Sequence, residues 1–226
     1  PWLAGFFLLR AMETRAGYRP HPARQVAFAF FLGYSLLQLL ALGANAVFGD
    51  VPVIGIHIAL GLIAACAYLL NRGAPAATGT EERQASIHKP RQTGWVFWFF
   101  LCLAVLHLSL AAVEILHRPI FPWDAWLNWM YRAKAWFFAG SILPMDAPQA
   151  WLQGTGDATY NVAGADYPSL VPITALWTAL HLGYWSETLV NVPVIACGMA
   201  LGGGIYGLCR EAERSRQTSM ISAYLV

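Results

Sequence analysis

Charge is what this chain has least of. Asp, Glu, Lys and Arg make up 12% of its 226 residues against 58% hydrophobic, and the mean hydropathy is +0.49. That composition excludes an ordinary water-soluble domain and places the chain among polytopic membrane proteins. The net charge of +2 is too small to hold a phosphate backbone, so no nucleic-acid partner is expected. Cysteine is scarce: Cys66, Cys102, Cys197 and Cys209 sit in or at the ends of apolar runs, with no C-x-x-C and no His at ligand spacing. They read as small packing residues rather than redox or metal groups. The apolar stub at 2–9 is too short, and lacks the basic flank and small-residue cleavage site, to be read as a secretory signal. No internal repeat divides the chain into two related halves, as a transporter would show.

What the chain does have is long apolar runs. A helix needs about 20 apolar residues to cross a hydrocarbon core, and residues 26–48, 51–70, 95–116 and 189–208 all pass. Residues 167–182 are fewer and begin at a proline, and read as a further span, either tilted or dipping in and returning. The fold class is therefore all-α, a polytopic α-helical membrane protein with an outer loop carrying an interfacial amphipathic helix. Residues 1–116 hold the N-terminal spans with a cytoplasmic linker at 71–94, residues 117–166 an extracytoplasmic loop, and residues 167–226 further spans. The start at Pro1 and the stop at Leu225-Val226, inside a new apolar run, read as the ends of a fragment.

Orientation follows from the bases. Arg10, Arg15, Arg19 and Arg24 precede the first long run, and Arg72, Arg83, Lys89 and Arg91 follow the second, while Gly49-Asp50 between those runs carries none. The positive-inside rule puts both clusters in the cytoplasm and residues 117–166 outside. If both later runs cross, Arg210, Arg214 and Arg216 fall outside, against the rule. Either 167–182 does not fully cross or the rule is violated here. Gly198…Gly202 and Gly203…Gly207 have the G-x-x-x-G spacing that lets helix backbones approach; with no strand before them and no Lys-Ser/Thr after, they are not a phosphate loop.

The chemistry concentrates after Pro122. At about 100° per residue, Asn128, Tyr131 and Ala135 share the face of Asp124, while Trp126, Trp129, Ala133, Trp136 and Phe137 gather opposite. Such a helix lies in the membrane interface with its aromatic side in the headgroup boundary. Arg132 and Lys134 flank the acidic face, roughly 80° away on each side, where a guanidinium and an ammonium would hold a phosphate. The plainer alternative is that Asp124 caps the helix and the two bases snorkel to membrane lipid. Further on, a glycine-rich stretch ends in Asp166-Tyr167-Pro168 where the next apolar run starts. Asp166 there either faces a site or caps a helix that Pro168 begins.

Together, Trp123-Asp124-Ala125-Trp126…Lys134 and, about forty residues after Asp124, Asp166-Tyr167-Pro168 resemble the GT-C superfamily of polytopic glycosyltransferases. The resemblance is to the bacterial branch of protein mannosyltransferases and lipid A aminoarabinose transferases, and covers residues 118–224. It implies an integral protein of the bacterial inner (plasma) membrane that moves a sugar, with inversion, from a polyprenyl-phosphate donor to an unidentified acceptor on the extracytoplasmic side. Asp124 would be the catalytic base, Arg132 and Lys134 would bind the donor phosphate, and Asp166, Tyr167 and Asn128 would contact substrate. The partners implied are the polyprenyl-phosphate-linked sugar and membrane lipid. One carboxylate suffices chemically, because a lipid phosphate leaves without the protonation that a sugar alkoxide needs. No cofactor is expected and no metal ligand is assigned; a loop-bound divalent metal stays open, since Ala125 stands where many members carry a second acid and Asp166 could complete a pair.

Within the runs, Glu114 can pair Arg118 at i,i+4, His107 reads as a polar helix contact, and His57 as a packing residue. These intramembrane groups also motivate the rival reading of a transporter. A non-catalytic scaffold of envelope polysaccharide assembly is the other alternative, with the loop helix as its anchor.

Overall fold

A backbone in hydrocarbon has to satisfy its N–H and C=O groups within its own segment, so the long apolar runs become unbroken helices. The computed structural model describes residues 1–72, 93–120, 125–146, 148–155, 159–160 and 168–226. In chain order these form α1 (Trp2–Arg15), α2 (Pro22–Phe48), α3 (Val53–Arg72), α4 (Trp95–His117), a π-helical turn (Ala125–Trp129), α5 (Met130–Ala139), α6 (Pro148–Leu152), α7 (Leu170–Leu182), a 3-10 turn (Leu189–Asn191), α8 (Val192–Glu211) and α9 (Arg216–Tyr224). Beside the helices, Met145–Asp146 and Thr159–Tyr160 form a two-residue parallel pairing. Helices α2, α3 and α4, and α8 with its entering turn, are long and apolar enough to cross a membrane. The chain is an all-α integral membrane protein.

The described residues divide into two compact units, one of Pro1–Gly33, Leu60–Leu110 and Ala196–Val226, the other of Tyr34–Ala59 and Ala111–Ile195. Neither is a continuous block of sequence, because α2, α3, α4 and α8 each contribute to both.

In the first unit, glycines set the distance between helices. A Cβ on Gly5 would overlap the Ala29 carbonyl oxygen, and one on Gly33 would stand 2.5 Å from the Pro1 carbonyl oxygen, so α1 and α2 meet backbone to backbone. A Cβ on Gly207 would overlap the Arg24 amide nitrogen, and one on Gly204 would stand 3.3 Å from Ala27 Cβ. Gly198 and Gly202 meet Leu108 and the Ala223 carbonyl instead, so the two G-x-x-x-G pairs serve different neighbours. The approach of α2 brings Arg24 between two acids: its Nη2 lies 2.6 Å from Glu13 Oε1 and its Nε 3.0 Å from Glu211 Oε1. Gln25 donates to the other Glu13 oxygen, and Tyr18 Oη and the His21 amide donate to Glu211. Burial pushes the Glu13 carboxyl up, and the hydrogen bond from Gln25 and the charge of Arg24 oppose it.

This cluster settles the orientation question left by the charges. Glu211 at the end of α8 touches the start of α2, so the bases at 10–24 and 210–216 share one end of the helices. Among the described residues, four helices between them, α2, α3, α4 and α8 with its entering turn, are long and apolar enough to cross, an even number. Of the run at 167–182, α7 is 13 residues long, about 20 Å of helix against a core of about 30 Å. Its flanks are both held by α5: Ser169 by Arg132, and Glu187 by Lys134. A segment whose two flanks are tied to residues two apart on one helix fits the alternative of a run that dips in and returns. Periodicity and hydropathy report burial, and six residues of α7 are buried within the protein.

The glycine contacts yield a test by thermal unfolding in detergent. Gly207→Leu is expected to cost about 3 kcal/mol, since the Arg24 backbone has nowhere to go. At Gly61, where no atom lies within 4 Å of an added Cβ, leucine is expected to change stability by about 0.5 kcal/mol or less.

Candidate functional site

Helix α5 is short and would be marginal alone. Its buried residues, Met130, Arg132, Ala133 and Trp136, pack on α7, whose Ile173, Ala175, Leu176 and Trp177 are buried in turn. Gly140, at φ 70°, ends α5 in the left-handed conformation that glycine adopts without strain. The chain then turns back so that the Trp136 indole N–H donates to the Leu143 carbonyl at 2.9 Å. Asn45 of α2 pins the same turn from the other side, donating to the Ile142 carbonyl at 3.0 Å and accepting the Ile142 amide at 2.7 Å.

The face opposite Asp124 was expected to enter the headgroup boundary. Ala133 and Trp136 on that face are instead covered, at 0% and 1% exposure, while Phe138 points outward. Two physical causes account for the difference. A 3.6-residue period identifies an apolar face but not what covers it. The turn at Ala125–Trp129 also closes i to i+5, so each residue advances less than 100° and angles counted from Asp124 drift.

Asp124, Asp166 and Tyr167 lie outside the described residues. Of the others, Asn128 and Arg132 are both buried. Arg132 donates through Nη2 to Ser169 Oγ at 3.0 Å, and its guanidinium carbon stands 4.9 Å from the Trp136 ring centroid. Burial pushes the Arg132 pKa down from its usual range. Ser169 directly follows Asp166-Tyr167-Pro168, and Arg132 belongs to the helical segment that follows Asp124. The Arg132–Ser169 bond therefore joins the helices that trail the two sequence motifs. Lys134 does not mirror Arg132 across the helix. Its Nζ lies 2.5 Å from Glu187 Oε1, which also accepts the Trp185 indole N–H at 2.9 Å, and the ion pair is partly exposed.

Ser169, Trp185 and Glu187 are the residues that sequence reasoning missed. No helical spacing connects Glu187 to Lys134, since they are 53 residues apart in the chain; the only signal was an acid in a short polar break between apolar runs. The smaller expectations fare as follows. Arg118 meets Glu114 at 2.9 Å in an exposed i,i+4 pair, and His107 stacks on Tyr224. The His57 ring packs on Trp177 with Nδ1 2.8 Å from the Val53 carbonyl oxygen, and its Nε2 is 3.1 Å from His181 Nε2. Among the described residues, no three His, Cys, Asp or Glu side chains come together as a metal site.

Comparison of the chain with protein-family models, with curated proteins and with solved structures finds no match. Chemically, the arrangement offers a buried cation with a fixed hydroxyl partner, on a short helix clamped by its neighbours.

Unfolding measurements should separate the clamp from the rim. Trp136→Ala is expected to cost about 3–5 kcal/mol, whereas Lys134→Ala, at a partly exposed pair, is expected to cost less than about 1 kcal/mol.

Proposed function

We propose that the protein is a membrane glycosyltransferase of GT-C type, which moves a sugar from a polyprenyl-phosphate donor to an acceptor hydroxyl on the extracytoplasmic side. The observation that carries the reading is the Arg132–Ser169 contact, by which a buried guanidinium links the helices following Asp124 and following Asp166-Tyr167-Pro168. The shared end of the arginine clusters supports the side: with those bases in the cytoplasm, four crossings leave residues 118–188 outside.

In this mechanism Asp124 takes the proton of the acceptor hydroxyl as its oxygen attacks the anomeric carbon. The bond from that carbon to the phosphate oxygen breaks on the opposite face, the configuration inverts, and polyprenyl phosphate leaves with the bonding pair. Arg132 stabilises the charge that develops on the departing phosphate, a task for which a preset, water-poor cation is well suited. Lys134 reaches the donor by exchanging Glu187 for a phosphate oxygen, so it contributes to donor binding. Asn128, Asp166 and Tyr167 position the sugar and acceptor.

Transfer of labelled sugar from a panel of polyprenyl-phosphate donors, by the full-length protein in liposomes, tests this. Asp124→Asn is expected to lower turnover by about 100-fold or more, and Lys134→Ala to raise the donor KM about tenfold with kcat little changed. Wild-type rates in the Asn variant would remove Asp124 as the base. Absence of transfer with every donor, from protein shown to be folded, would overturn the reading.

A further inference from the structure

We propose that the first unit binds one anionic phospholipid, with its phosphate against Arg210 and Arg216 and an acyl chain in the groove between α4, α8 and α9. This site is separate from the one discussed above and does not depend on the glycosyltransferase reading.

Two cavities define it. The first, of about 860 Å³, lies where the turn before α2, the start of α4, the end of α8 and the start of α9 meet. Arg19, His21, Arg210 and Arg216 line it with the rings of Trp98 and Tyr206. The second, of about 640 Å³, runs along α4, α8 and α9 between apolar walls that include Leu101, Val105, Leu108 and Met199. Phe97 and Tyr206 belong to both walls. A chamber with charged side chains in its wall, at the helix ends, thus adjoins one without them that follows the spans, which is the outline of an amphiphile.

Charge decides the sign of the head. Glu211 lines the polar chamber, but its oxygens are taken by Arg24, the Tyr18 hydroxyl and the His21 amide. Arg210 donates to the Arg214 carbonyl at 2.5 Å and Arg216 to the Thr93 hydroxyl at 3.1 Å. Those acceptors are neutral, so among the described residues neither charge is met by a carboxylate. Against Arg210 and Arg216 the wall then sets Glu213. Guanidinium groups match phosphate oxygens bidentately, and Trp and Tyr rings favour headgroup depth. A free phosphate would fill the polar chamber and leave the apolar one unexplained.

Native mass spectrometry and thermal unfolding of the purified chain in detergent test this, with dioleoylphosphatidylglycerol and dioleoylphosphatidylcholine as probes. One phosphatidylglycerol per chain is expected, bound about tenfold or more tighter than phosphatidylcholine. Arg210→Gln with Arg216→Gln is expected to remove that preference. Met199→Trp, which blocks the groove at an exposed side chain, is expected to weaken the dioleoyl lipid while sparing the dihexanoyl one. Circular dichroism and gel filtration check that each variant is folded; should the double variant fail, Arg216→Gln alone and Met199→Trp decide. Equal binding of the two lipids, an unaltered preference in the glutamine variant, or stabilisation by inorganic phosphate equal to that by phosphatidylglycerol would each overturn the proposal.

Discussion

Close approach of α2 to its neighbours α1 and α8, backbone to backbone at Gly5, Gly33 and Gly207 and against Ala27 at Gly204, is the constraint from which the first unit is built. Lipid chains are as apolar as leucine, so helices in a membrane gain little by hiding apolar side chains from them. What holds them is dispersion at close range and the hydrogen bonds that close range permits. Buried alanines extend the contact: Ala4, Ala11, Ala27 and Ala29 are all nearly inaccessible. Only at this spacing can one arginine, Arg24, reach Glu13 on α1 and Glu211 on α8 at once. The arginine and the two acids would each be costly to bury singly, and together they satisfy one another.

The second unit is built on a different principle. Its core includes larger side chains than the alanines of the first, with Trp136, Ile173 and Val190 almost fully covered. A 13-residue helix too short to cross a membrane is kept in place by burying it against α5 and tying both its flanks to that same helix. The consequence for chemistry is positional. Arg132 is part of the clamp, so its guanidinium is one that the fold holds still. Lys134, on the rim with Glu187, has the opposite character.

The four crossing helices were legible as runs of apolar residues, since length and hydropathy are what a bilayer demands of any span. So was the close-packing role of the glycines in 198–207, although which pair faced which neighbour was not. Whether residues 167–182 cross or dip in and return was not legible, because an apolar run has the same composition whether lipid or protein surrounds it. The face of α5 was misjudged for a related reason, compounded by a π turn that no residue pattern announced. Of the candidate site, the sequence named Arg132 but gave no sign that it is buried. Its partner Ser169, and the pairing of Lys134 with Glu187, depend on segments that meet only when α7 folds back.

By itself, then, the sequence determined that the chain enters a membrane, how many of its runs are long enough to cross, and where the bases and acids are concentrated. These are local properties, set by the transfer cost of each residue and by the rise of a helix. Tertiary structure alone decided that α7 turns back, that the arginines at 10–24 and 210–216 share one end, and that Arg132 is buried while Lys134 is not. Those outcomes depend on which helix surfaces meet, and residues far apart in the chain carry no mark of that until packing brings them together.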